Sequence, residues 1–200
     1  MVNLLVVRHA ESVWNLDGRW QGQADPPISE PGAAQARLAA ENIDGVSCIV
    51  SSDLRRASST AEIIAETLGA EPVIIDAGWR ERTVGSWQGL TTAQIESQYP
   101  GALAASDYPP GWESNESLLD RVFAAIHRTA ARVDSGDVLV VSHAGVIYTL
   151  EQHFGCDFKR IGNLGGRRLL VQSGEVRLRE RIALTGDGGC LRPTAPAERR

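Results

Sequence analysis

Leu4-Leu5-Val6-Val7-Arg8-His9-Ala10-Glu11-Ser12 is the stretch on which the reading of this chain turns. Four consecutive apolar residues, mostly β-formers, predict a strand buried on both faces. The run stops abruptly at an arginine and a histidine, and polar residues follow. In an open α/β sheet, ligands bind where strands end at their carboxyl edge. A cation and an imidazole placed there would face an anion. A capped strand whose Arg8 and His9 merely meet solvent is the plainer alternative, and these nine residues do not separate the two.

The same pattern recurs along the chain. Val46 to Val50 is apolar and gives way to Ser51-Ser52-Asp53. Val138 to Val141 gives way to Ser142-His143-Ala144-Gly145. Helices are expected between the strands: from the Ser29 cap to Ile43, from Arg55 to Gly69, from the Thr91 capping box to before Pro100, over 116–133, and over 146–154. Val73 to Ile75 reads as a short edge strand after Pro72. Residues 168–184 read as two strands joined at Ser173-Gly174, with Arg177, Arg179 and Arg181 on a solvent side. Residues 13–28 and 77–90 read as long loops, and 100–114 as an excursion from the core. Strands alternating with helices imply a three-layer αβα sandwich around a mostly parallel central sheet. The domain is expected over residues 1–185, with a flexible tail over 186–200.

Arg55 and Arg56 fall in the first turn of a helix, where the helix dipole favours acids. At least one of them should therefore have an anionic partner elsewhere, Asp53 being the nearest alternative. Thus three strand ends deliver Arg8-His9, the Arg55/Arg56 pair and His143 toward one edge.

A hydrophobic fraction of 42%, a charged fraction of 22% and a net charge of −5 fit a globular protein and argue against nucleic-acid binding through bulk charge. Three cysteines, Cys48, Cys156 and Cys190, form no C-x-x-C pair and suggest reduced thiols in the cytoplasm. No apolar run reaches the length of a membrane span, and no signal peptide is legible.

Two histidines, two or three arginines and a loop carboxylate suit phosphoryl transfer. Guanidinium forks bind phosphate oxygens, a neutral imidazole attacks phosphorus, and a carboxylic acid protonates the departing oxygen. Phosphate-loop, serine-elbow and zinc-helix motifs are missing from the sequence. Cys48 lies in an apolar strand, seven residues before Arg55 rather than the six of cysteine-dependent phosphatases. His127 and His153 lack ligand-spaced partners, so a structural or exposed place is expected for both.

At these residues the chain resembles the histidine phosphatase, or phosphoglycerate mutase-like, superfamily. Arg8-His9-Ala10-Glu11-Ser12 with Asn15 is similar to its R-H-G-E-[ST]-x-x-N signature. Gln21-Gly22-Gln23 with Asp25 resembles the loop that follows, and Ser29-Glu30-Pro31-Gly32 the T-E-x-G helix start. Ser52 to Ala61 resembles S-x-L-x-R-A-x-x-T-A and selects Arg56 over Arg55. Arg80-Glu81 through Gly89 resembles R-E-x-x-x-G-x-W-x-G, and Val141 to Gly145 resembles V-S-H-G-G. The resemblance implies His9 as the phosphorylated nucleophile, Glu81 as proton donor, and Arg8, Arg56 and His143 on the phosphoryl oxygens. It implies a mouth formed by Ser12, Asn15, Gln21, Gly22, Arg82 and Ala144. Ala10 and Ala144 replace family glycines, which would matter if either position needed a left-handed backbone. A contact from Glu116 to substrate is a further expectation.

The expected activity is hydrolysis of a small phosphomonoester, of phosphoglycerate type or a sugar phosphate, with no metal and no cofactor. The rival is a phosphoglycerate mutase, which must grip a second acidic group. Family mutases do so with a tyrosine three residues after the glutamate, here Val84, and with basic residues in the excursion, which here has none. A catalytically weak phospho-ligand-binding protein is the reading from another class. The expected partners are a phosphorylated small molecule and a second copy of the chain, with neither nucleic acid nor membrane.

Overall fold

The computed structural model describes residues 1–70 and 72–185. The tail expected over 186–200, with Cys190, lies outside the described residues. The elements are β1 (Val2–Arg8), α1 (Val13–Leu16), α2 (Glu30–Ala40), β2 (Val46–Ser51), α3 (Arg55–Leu68), β3 (Ile74–Ile75), α4 (Thr92–Gln98), α5 (Ala102–Ala105), α6 (Asn115–Ala130), β4 (Gly136–Ser142), α7 (Ala144–His153), β5 (Gly165–Gln172) and β6 (Glu175–Ala183).

β1 and β4 form the centre of a six-stranded sheet of order β3-β2-β4-β1-β5-β6. Their unbroken apolar runs follow from burial on both faces. Leu4 and Val6, with Val138 and Val140, pack against α6 and α7 through Leu118, Val122, Ile126, Ile147 and Leu150. Leu5 and Val7, with Leu139 and Val141, pack against α2 and α3. That second layer is built from Ala36, Ala39, Ala40, Ala57, Ala61 and Ile64, whose small side chains let the two helices lie close to each other and to the sheet. Each fully buried Leu, Val or Ile contributes on the order of 1.5–3 kcal/mol.

Pairs β1–β4, β2–β4 and β2–β3 are parallel, whereas β1–β5 and β5–β6 are antiparallel. From the adjacent strands β1 and β4, the chain leaves in opposite directions, toward β2 and toward β5. Such a switch point opens a crevice at the carboxyl ends of both strands. The site therefore lies where β1 delivers His9 and β4 delivers His143.

Several local expectations are corrected. The loop over 13–28 begins with α1, a single turn held by a capping box between Ser12 and Asn15. The excursion holds α5. The buried face of α6 runs through Leu118, Val122, Ala125, Ile126 and Thr129, with Leu119 only half-buried. Arg181 does not belong to a solvent side; it pairs with the buried Glu151 of α7 at 2.7 Å. A register shift in the β5–β6 ladder between Arg167 and Leu169 breaks the simple alternation that the sequence suggested.

Candidate active site

Register places the two histidines side by side. Arg8 pairs with Ser142 across the parallel β1–β4 ladder, and the His9 N–H donates to the Ser142 carbonyl at 2.9 Å. The next side chains, His9 and His143, leave the sheet together, with ring centroids 5.3 Å apart. Both are buried.

Local hydrogen bonds anchor both rings, and one of them fixes a tautomer. His9 Nδ1 lies 2.6 Å from the Ala10 carbonyl. A carbonyl only accepts, so Nδ1 carries the hydrogen and Nε2 keeps its lone pair. His143 Nε2 lies 2.9 Å from Ser52 Oγ, which already accepts the Leu54 N–H. A hydroxyl both donates and accepts, so this bond anchors the His143 ring without choosing its tautomer; its Nδ1 is buried without a partner. Both imidazoles are held neutral well below their ordinary titration range. Burial is the main cause, followed by the positive charge of Arg56.

Arg56 is fully buried in the first turn of α3. Its Nη1 donates to the Ala24 carbonyl at 2.6 Å and its Nη2 to the Gly22 carbonyl at 2.7 Å. Burial lowers its pKa to about 10, so it stays charged at neutral pH. The missing acid at this helix start is Asp25, whose carboxylate accepts the Arg55 N–H at 2.6 Å. Asp53, the nearest alternative partner for the arginine pair, is instead held by Arg80. Arg8 Nη1 donates to the Ile161 carbonyl at 3.1 Å. The Nε atoms of Arg8 and Arg56 are buried without partners, like His143 Nδ1. Unsatisfied buried donors are rare in folded proteins. The two guanidinium Nε groups thus keep donors that a bound anion can use.

Arg8, His9, Arg56 and Glu81 line one cavity of about 670 Å3. Glu81 reaches it from the segment 77–90, which is bound tightly to the core. Arg121 donates to the carbonyls of Gly78, Arg80 and Glu81, and Ser142 Oγ to that of Trp79. One Glu81 oxygen accepts the Arg82 N–H at 2.8 Å and the other the Gly145 N–H at 3.1 Å. A Cβ at Gly145 would overlap this carboxylate, so a larger residue there would displace Glu81. Gly22 is constrained by its backbone: its φ is +50°, and a Cβ would stand 2.8 Å from Val84.

The remaining expectations divide. Gln21, Gly22, Arg82 and Ala144 line the cavity, whereas Ser12 and Asn15 do not. Ser12 is fully buried and donates to Gln21 Oε1 at 2.9 Å, while Asn15 closes the α1 capping box. They hold the mouth from behind. His143 also stands behind the lining, against His9. Both Nη atoms of Arg82 are bound within the protein, to the Glu113 carbonyl, Asn115 and Thr149. Glu116 is exposed and absent from the lining; its neighbour Asn115 takes that place. Ala10 and Ala144 adopt no left-handed backbone, so replacing glycine there brings no strain of that kind. His127 and His153 are exposed.

Sequence reasoning missed Trp20, Tyr108, Trp112, Tyr148 and Arg160 as lining residues. Tyr108 and Trp112 stack at 4.0 Å and 5° and form an aromatic part of the cavity wall. A signal existed for Tyr148: Ala144, Tyr148 and Gln152 recur every four residues on α7, apart from its apolar Val146, Ile147 and Leu150. Among the described residues no group of three or more His, Cys, Asp or Glu is placed to hold a metal ion. None of their helices is long and apolar enough to cross a membrane.

Comparison with known proteins agrees with this geometry. The family model described as histidine phosphatase superfamily (branch 1) matches residues 4–168. Phosphoglycerate mutase-like protein 4 of Arabidopsis thaliana is 36% identical over 157 residues, covering 74% of this chain and 68% of that protein. Phosphoserine phosphatase 1 of Hydrogenobacter thermophilus is 35% identical over 176 residues, covering 78% and 83%. A mycobacterial glucosyl-3-phosphoglycerate phosphatase in complex with VO3 superposes with a TM-score of 0.80 at 32% identity, covering 90% of this chain and 99% of that one. The chain belongs to the histidine phosphatase superfamily, branch 1, and is a phosphatase.

Proposed function

We propose that the chain hydrolyses a small phosphomonoester, of phosphoglycerate type or a sugar phosphate, through a phosphohistidine on His9. The observation that carries this reading is the fixed His9 tautomer, with a free Nε2 lone pair beside the unpaired Nε groups of Arg8 and Arg56. Nε2 attacks phosphorus while the bond to the leaving oxygen breaks, and that oxygen takes its proton from Glu81. The Glu81 carboxylate then removes a proton from water as the water attacks the phosphohistidine, releasing inorganic phosphate and restoring both groups. Arg8, Arg56 and His143 stabilise the charge on the transferring oxygens. Gln21 and Gly22 shape the mouth, and Ser12 and Asn15 position them.

Val84 lines the cavity where a family mutase carries tyrosine, and the excursion contributes Ser106, Tyr108 and Trp112 but no cation. The two places from which family mutases grip their substrate therefore lack the tyrosine and the cations used there, which favours hydrolysis over transfer. The cytoplasm as compartment and a homodimer as assembly belong to this reading, and light scattering of the purified chain checks the second.

The test combines turnover with trapping. The native chain should hydrolyse p-nitrophenyl phosphate in the presence of EDTA, and acid-labile phosphate should be trapped on His9. His9→Ala should lose at least about 10⁴-fold in kcat, since no other nucleophile adjoins the arginines. Residual turnover of a few per cent, or rapid isomerisation of 3-phosphoglycerate primed with 2,3-bisphosphoglycerate, would refute the reading.

A further inference from the structure

The charge of the cavity exceeds what a phosphate monoester alone supplies. Four arginines line it, Arg8, Arg56, Arg82 and Arg160, against one carboxylate, Glu81. A phosphate monoester carries about −1.5 to −2 at pH 7, which leaves about one positive charge unopposed. The surplus can be located. Arg8 and Arg56 keep buried Nε groups without partners, and both flank His9 closely enough to help burial hold it neutral. Both Nη atoms of Arg82 have their hydrogen bonds taken by neutral groups, the Glu113 carbonyl, Asn115 and Thr149. Arg160 is exposed, and its guanidinium has no hydrogen-bond or ion-pair partner among the described residues.

Arg160 shares its side of the cavity with Tyr148. The Tyr148 oxygen accepts the Ile161 N–H at 2.9 Å, so its own O–H remains available to an acceptor. The Ile161 carbonyl binds Arg8, which fixes this corner next to the phosphoryl end. We infer that Tyr148 and Arg160 form a subsite for a carboxylate on the leaving group, so that the preferred substrates are phosphorylated hydroxy acids rather than phosphates of neutral alcohols. The inference rests on the phosphomonoesterase reading and chooses between its two substrate types. A guanidinium fork and one hydroxyl match the two oxygens and single charge of a carboxylate. A second phosphate would bring about two negative charges to a surplus of one.

The test is a matched pair. 3-Phosphoglycerate and glycerol 3-phosphate differ only in a carboxylate against a hydroxymethyl group. Titration calorimetry on the His9→Ala chain measures both affinities without turnover. The acid should bind at least about tenfold more tightly, the size of a hydrogen-bonded ion pair at a partly exposed site. Adding Arg160→Met should bring the two affinities within about threefold, whereas Arg160→Lys should keep part of the preference. Equal affinities in the parent chain, undetectable binding of the acid, or a preference that survives Arg160→Met would each overturn the subsite. Failure of the phosphatase reading shows separately, as absent turnover of p-nitrophenyl phosphate by the native chain.

Discussion

The two ends of the cavity are built by different means. At the phosphoryl end, His9 and His143 continue the two central strands, and Arg56 sits in the first turn of α3. Each is fixed by a hydrogen bond to the core: His9 by the Ala10 carbonyl, His143 by Ser52, and Arg56 by the Gly22 and Ala24 carbonyls. At the leaving-group end, Tyr108 and Trp112 come from the excursion and Arg160 from the segment between α7 and β5. Tyr108 and Arg160 are both exposed. Charge stabilisation on a transferring phosphoryl group needs donors that do not reorganise. Recognition of a leaving group requires only contact. The difference assigns chemistry to the sheet edge and specificity to the loops.

Glu81 sits at the junction and, among the changes that compare the two ends, gives the largest expected effect. Glu81→Gln keeps the shape and one acceptor, removes the proton donor, and gives up one of the two bonds from the Arg82 and Gly145 N–H groups. Turnover of alkyl phosphates should fall by about 10²–10⁴-fold, the usual contribution of general acid–base catalysis. p-Nitrophenyl phosphate, whose leaving oxygen needs little protonation, should lose far less in its first half-reaction. Phosphorylated His9 should accumulate in this variant, because its hydrolysis lacks a base, and mass spectrometry of quenched reactions detects it. Equal losses on both substrates without trapped phosphohistidine would move the acid to another residue.

The next effect belongs to the phosphoryl end alone. His9 and His143 are held neutral by burial and by the arginines, whereas in the unfolded chain each takes up a proton near pH 6.5. Below that pH the unfolded state binds more protons than the native one. Stability is therefore fully present above about pH 6.5 and is lost as pH falls toward the folded values. Each histidine contributes a slope of about 1.4 kcal/mol per pH unit. The Asp53 carboxyl, lowered by its hydrogen bond from Arg80, acts only below its ordinary 3.8 and leaves this window clear. Urea unfolding at pH 7, 6 and 5 measures the slope. A flat profile would mean that the two rings are not held neutral.

Legibility in the sequence followed the same division. The sheet edge could be read because burial on both faces imposes an unbroken apolar run, and such a run ends visibly, at Arg8 and at Ser142. Arg56 was legible as a cation where the helix dipole disfavours one, although its acid, Asp25, lies 31 positions upstream and no periodicity links them. Ser12 and Asn15 were placed at the mouth because their residue types suit it. Their side chains instead close a capping box three residues apart, a local bond that competes for the same donors. Tyr108, Trp112 and Arg160 come from segments without a repeating pattern, and their place depends on how the excursion and the 156–162 segment fold back. The role of Arg181 was hidden by a register shift that turns it toward Glu151.

Arg181 also marks the seam between the two ends, and there the expected effect is smallest. Its guanidinium binds the buried Glu151 through Nε at 2.9 Å and Nη2 at 2.7 Å. It also donates to the carbonyls of Lys159 at 2.6 Å and Arg160 at 3.2 Å. The next carbonyl, of Ile161, holds Arg8. One side chain on β6 thus braces the segment that serves Arg8 on one side and carries Arg160 on the other. Glu151 is shared with Arg167 at 2.5 Å, so Arg181→Met leaves that carboxylate paired. The variant should fold, and its loss should be about three- to tenfold, as for a misplaced rather than a missing group. The partition of that loss decides between the two ends. A rise in KM confined to acid-bearing substrates means that the brace positions Arg160. An equal fall in kcat for p-nitrophenyl phosphate and for 3-phosphoglycerate means that it positions Arg8. Unchanged kinetics, with only a lower melting temperature, would show that the brace serves the fold and that the two ends are independent.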